Sequence, residues 1–77
     1  MKIEILGTGC AKCKAMFELT KKAVATAGIF AQVEKVEDLN KIMAYGVMNT
    51  PALVINSEVK STGKALSEEE ILNFIKG

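Results

Sequence analysis

The chain has 77 residues, 49% hydrophobic and 25% charged, with ten basic residues against nine acidic ones and a net charge of +1. That is the composition of one small globular domain, spanning 1–77, and it excludes a disordered tail. A chain this short buries only about 60–65% of its unfolded surface, which leaves no room for a large internal ligand cavity. All ten basic residues are Lys, and the aromatics are three Phe and one Tyr. A nucleic-acid binder carries a clear basic excess, and a single-strand binder a stacking surface, so neither partner is expected.

No apolar run approaches the roughly 20 residues of a membrane span. Glu4 interrupts what would have to be the core of a signal peptide. A cytoplasmic protein without a membrane partner is expected. His is absent, which removes the commonest general base and nitrogen metal ligand. Cys10 and Cys13 are the whole cysteine complement, too few for a structural disulfide framework.

Strands and helices alternate along the chain. Residues 2–6 read as a first strand, stopped by Gly7-Thr8-Gly9. From Cys13 to Ala27 apolar residues return every three or four positions, the helical period, and Gly28 stands at the C-cap. Residues 30–36 alternate loosely and read as a second strand, whose Glu34 and Lys35 suit a sheet edge. Asp38 caps a short helix with Leu39, Ile42 and Met43 on its buried side, closing at Gly46. Met16, Phe17, Ile42 and Met43, at helical spacing, are expected in the core.

Residues 51–55 form a buried strand, turned by Asn56-Ser57 into residues 58–61. Ser67-Glu68-Glu69-Glu70 is a capping box, and Ile71, Leu72, Phe74 and Ile75 supply the apolar side of the last helix. The order is βαβαββα.

Chemistry concentrates at Cys10-Ala11-Lys12-Cys13, where a turn after the first strand enters a helix. Residues i and i+3 share a helix face with Cα atoms about 5 Å apart, within the reach of a disulfide. The pair can therefore open and close without rebuilding the backbone. Cys10 stands at the helix N-terminus, where unpaired N–H groups and the macrodipole favour an anion, and Lys12 and Lys14 add positive charge. These features lower its thiol pKa from about 8.5 and make Cys10 the nucleophile. Cys13, one turn inward, is the resolving thiol.

A lone C-x-x-C also arises by chance or as half of a zinc site. Its place between a strand and a helix favours redox chemistry. No second Cys pair and no His exists to complete a tetrahedral metal site. Lys12 reads either as a thiolate-stabilising charge or as a solvated lysine. Pro51, the only proline, precedes an apolar strand. Without further information it is an ordinary strand-initiating residue.

Cys10-x-x-Cys13 after a first strand, with Tyr45-Gly46-Val47 and Thr50-Pro51 before a later one, resembles the two signatures of the thioredoxin superfamily. The likeness covers essentially the whole chain. Its length and the Gly7-Thr8-Gly9-Cys10 lead-in look most like the small prokaryotic thioredoxin-like or glutaredoxin-like redox proteins. The resemblance implies an α/β fold in three α/β/α layers, with a four-stranded mixed sheet ordered β2-β1-β3-β4. It implies a cis Thr50–Pro51 bond beside the cysteines and a Thr50 backbone that binds an extended substrate segment. It also implies a thiol–disulfide oxidoreductase acting as a monomer on protein or small-thiol disulfides, without metal or organic cofactor. A thioredoxin-reductase-like donor or a small thiol would supply the electrons.

Two departures stand out: Gly9 replaces the Trp, and Ala11-Lys12 the Gly-Pro, of the thioredoxin pattern. Glu4 lies at the offset where thioredoxins carry a buried acid. It reads as a proton acceptor for Cys13, or as a solvent-side or edge-shielded Glu. The rival reading is a Cu(I) or Zn binding module, since residues 7–13 also resemble the metal loop of small copper chaperones. Those have βαββαβ order and end in a strand, whereas residues 67–76 predict a helix.

Overall fold

Lys2–Leu6 forms β1, buried along all but its first residue, and the rest of the molecule is arranged about it. The computed structural model describes residues 1–9 and 11–76. After β1 come α1 (Ala11–Ala27), β2 (Gln32–Val36), α2 (Leu39–Ala44), β3 (Ala52–Ile55), β4 (Glu58–Thr62) and α3 (Glu68–Lys76). The strands form one four-stranded sheet ordered β2-β1-β3-β4, the order implied by the resemblance. β1 pairs parallel with β2 and antiparallel with β3, and β3 pairs antiparallel with β4.

Side chains alternate across a strand, so the two central strands feed two cores. Ile3 and Ile5 of β1, with Leu53 and Ile55 of β3, meet Met16 and Ala23 of α1 and Ile71 and Ile75 of α3. On the opposite face Leu6, Ala52 and Val54 meet Ile42 of α2 and Val47. A sheet covered on both faces explains why every residue of β3 is apolar and buried. The layers are therefore α/β/α.

Local signals set most boundaries. Asp38 caps α2, its carboxylate accepting from the Asn40 N–H at 2.9 Å. Ser67 and Glu70 form the reciprocal capping box of α3, with bonds of 3.1 and 3.2 Å. Gly28 leaves α1 at φ +67, donating to the Val24 and Ala25 carbonyls. Asn56 and Ser57 both have positive φ, the two-residue turn whose twist matches a hairpin. The Asn56 side chain also accepts from the Lys2 N–H at 2.9 Å, tying that turn to β1.

Several expectations are corrected. β2 begins at Gln32 rather than Phe30, because pairing with β1 starts at Lys2 opposite Gln32, and Phe30 is fully exposed. β3 begins at Ala52, and β4 runs on to Thr62 through an irregularity opposite Leu53 and Val54. In α2 only Ile42 is buried, while Leu39 and Met43 are 58% and 62% exposed. A helix of six residues turns too few side chains inward to bury all three. Phe17 is only partly buried, with the Lys21 and Lys35 ammonium groups over its ring at 4.8 and 5.6 Å. Phe74 is 36% exposed, leaving Ile71 and Ile75 as the buried side of α3.

Candidate active site

Helix α1 starts immediately after position 10, and Cys13 lies in its first turn. Cys10, the expected nucleophile, lies outside the described residues. Cys13 is fully buried, on the same helix stripe as Met16, Thr20 and Ala23. That stripe faces the sheet, and the Thr20 hydroxyl satisfies itself on the Met16 carbonyl at 2.7 Å. Lys12 points away from it and is exposed.

The Cys13 sulfur rests against Gly7. A Cβ placed on Gly7 would overlap Cys13 Sγ, would lie 2.8 Å from Cys13 Cβ, and would come within 4.0 Å of Thr50 Cβ. Gly7, Cys13 and Thr50, from three separate segments, thus converge past the end of β1. Thr50 is half-buried and Pro51 is buried. The Thr50–Pro51 peptide bond is cis, and the Pro51 carbonyl accepts from the Gly63 N–H at 3.0 Å.

Beside Thr50 an apolar groove of about 340 Å³ runs along α2, lined by Thr8, Leu39, Ile42, Met43, Val47 and Met48. Met48 is 95% exposed. The Leu39 and Met43 side chains that α2 fails to bury form one wall of this groove.

Glu4 is buried at 8% exposure on the central strand β1, opposite Glu34 of β2 and Val54 of β3. It is therefore neither a solvent-side nor an edge residue. Alternation along β1 turns it to the α2 face, whereas Gly7 turns to the face of α1. Its Oε1 accepts from the Tyr45 hydroxyl at 2.6 Å. Donation to Glu4, followed by burial, raises the Tyr45 phenol above its ordinary value. The neighbouring Glu34 is engaged elsewhere, with Lys2 at 3.5 Å and the Gln32 amide at 2.8 Å. A charged cleft of about 450 Å³ opens here, with Glu4 among its lining residues.

The structure thus brings Cys13, Thr50 and Pro51 to one end of the sheet. It sets Glu4 against Tyr45 on the α2 side and leaves Lys12 in solvent. Sequence reasoning missed two members. Tyr45 was legible only as part of a loop signature, and its bond to Glu4 joins residues 41 positions apart. Gly7 was legible only as a turn residue.

The chain ends in helix α3 rather than a strand, so the metal-chaperone reading gains nothing from the fold. No helix among the described residues is long and apolar enough to cross a membrane. Residues 1–76 match a family model described as Thioredoxin domain. The chain is similar to the thioredoxin of Methanothermobacter thermautotrophicus, at 39% identity over 75 residues covering 97% of each chain. It is also similar to the thioredoxin of Methanocaldococcus jannaschii, at 42% identity over 74 residues. That alignment covers 96% of this chain and 85% of the other.

Proposed function

The chain belongs to the thioredoxin family, and from that membership we propose that it reduces disulfides through a Cys10/Cys13 dithiol. The observation that carries this reading is the complete burial of Cys13 in the first turn of α1, against Gly7. A sulfur so enclosed cannot meet a protein disulfide arriving from solution, so the first attack falls to Cys10, one turn earlier in the sequence.

The proposed reaction has two exchanges. The Cys10 thiolate attacks one sulfur of a substrate disulfide, forming a Cys10–substrate bond and releasing the other sulfur as a thiolate. Cys13, having given up its proton, then attacks Cys10 Sγ. The Cys10–Cys13 bond forms, the bond to substrate breaks, and the second substrate sulfur leaves as a thiolate. Both released thiolates take up protons, and two electrons have passed from the protein to the substrate. A thioredoxin-reductase-like donor or a small thiol restores the dithiol. The protein works as a cytoplasmic monomer.

Other residues have supporting roles in this reading. The N-terminus of α1 and the Lys12 charge favour the Cys10 thiolate. The Thr50 backbone, beside Pro51, holds an extended substrate segment, and the groove of Leu39, Met43 and Met48 takes its apolar side chains. Glu4 faces α2, across the sheet from the α1 side on which Cys13 lies, and takes no direct part in moving the Cys13 proton in this reading. A changed pH dependence of exchange in a Glu4→Gln protein would restore it to that role.

The cysteine assignment is tested by substitution. Cys13→Ser should accumulate a mixed disulfide with substrate, seen as a mass adduct, and Cys10→Ser should form none. A Cys10→Ser protein that still reduced a disulfide would refute the assignment.

A further inference from the structure

We propose that Gly7 is a positioning residue for the resolving sulfur, its missing side chain being the notch in which Cys13 Sγ is seated. The proposal rests on the oxidoreductase reading above and adds a residue to it.

Glycine at position 7 is not explained by the backbone. Among the described residues the glycines that adopt positive φ are Gly9, Gly28, Gly46 and Gly63, and Gly7 is not one of them. Any L-residue can adopt its conformation, so the constraint is space. A methyl group there would overlap Cys13 Sγ and crowd Cys13 Cβ at 2.8 Å. Side chains of opposite elements do not approach that closely, and one of the two must yield.

Neither backbone is free to do so. The Gly7 N–H donates to the Val36 carbonyl at 2.9 Å, extending the β1–β2 ladder past the last strand residue. Cys13 is held by α1, whose next turn places Met16 in the core with Ile3 and Ile5. Thr50 Cβ lies 4.0 Å from where that methyl would sit. A methyl at position 7 would turn the sulfur aside through its side-chain torsion and, because no torsion moves Cys13 Cβ, would also press against the first turn of α1.

That displacement matters to one exchange only. Attack by Cys13 on Cys10 Sγ makes the Cys10–Cys13 bond as the Cys10–substrate bond breaks, and the three sulfurs must align. The earlier capture of substrate by Cys10 does not involve Cys13 Sγ. A change at Gly7 should therefore separate the two steps, which a general loss of structure would not do.

The test is Gly7→Ala, reacted with a chromogenic aromatic disulfide and followed by rapid quench and mass spectrometry. Capture by Cys10 should stay within about twofold of the parent. Decay of the mixed disulfide should slow roughly ten- to a hundredfold, the scale on which a misplacement of about 1 Å acts. Thermal unfolding supplies a second readout. Gly7→Ala should lower Tm in the parent and lower it less in a Cys13→Ala background, where the overlapping sulfur is gone. If Gly7→Ala alone does not fold, a folded Gly7→Ala/Cys13→Gly protein, which lacks both crowded atoms, supports the notch and an unfolded one overturns it. Unchanged mixed-disulfide decay, or an equal Tm loss in both backgrounds, also overturns the proposal. A parent protein inert toward disulfides would instead overturn the oxidoreductase reading, and the Tm comparison would still decide whether Gly7 seats the sulfur.

Discussion

The Tyr45 hydroxyl donates to the Glu4 carboxylate at 2.6 Å, joining the C-cap of α2 to the middle of the central strand. Tyr45 is also the residue from which the chain leaves α2 toward Thr50 and Pro51. The bond therefore satisfies a buried carboxylate and anchors the start of that loop. A buried acid without such a donor is costly, so removing the hydroxyl alone should weaken the fold.

Tyr45→Phe should lower unfolding free energy by about 1–2 kcal/mol at neutral pH, the scale for losing a donor to a charged, partly buried acceptor. The phenol is raised above 10.0 in the folded protein, first by its bond to Glu4. A raised value means that the contribution is whole below the unfolded value and fades as pH climbs through the folded one. Urea unfolding at a series of pH values should show the parent losing stability above about pH 10 and the Phe variant losing less. Parallel curves would exclude the linkage.

Met43→Glu tests the groove. The side chain is 62% exposed, so stability should change by less than about 0.5 kcal/mol. A charge in an apolar docking wall should lower kcat/KM for a protein disulfide roughly tenfold, equivalent to about 1.4 kcal/mol. A small disulfide reagent, which does not fill the groove, should react as before. Equal losses with both substrates would mean that the groove takes no part in docking.

Lys12→Glu tests charge at the helix start. Stabilising the Cys10 thiolate stabilises the reduced protein and raises the potential, so reversing the charge should lower it. Lys12 is exposed, which limits the effect to the order of 10–20 mV at low salt, and less as salt screens it. Equilibration against a glutathione buffer reads the value, and a potential that stays put would make Lys12 a solvated bystander.

Ser67→Ala should destabilise the protein by about 1 kcal/mol, the usual worth of an N-cap hydroxyl. The Glu70 carboxyl is lowered, first by Lys64 at 2.7 Å and then by the Ser67 N–H. Its contribution is present above the unfolded value and lost as pH falls through the lowered one. Glu70→Gln should therefore flatten the acid limb of a stability–pH curve below about pH 4.5. An acid limb as steep as that of the parent would count against the linkage.

Neighbours in the chain carried the element order and most of the caps. Asp38 before Leu39, Ser67 three residues before Glu70, Gly28 after Ala27 and Asn56-Ser57 between two strands act over single turns. Their effect is written within a few residues of itself. The cysteine spacing and its place between strand and helix were legible for the same reason, and the Thr50-Pro51 signature stood on its face as a motif. What folding alone decided were contacts between distant segments: which of Leu39, Ile42 and Met43 faces the sheet, where Phe30 loses its strand partner, that Tyr45 reaches Glu4, and that Gly7 makes room for Cys13. Each depends on how a helix is set down against a sheet edge or face. No local periodicity encodes that placement, because it is chosen by the packing of whole elements against one another.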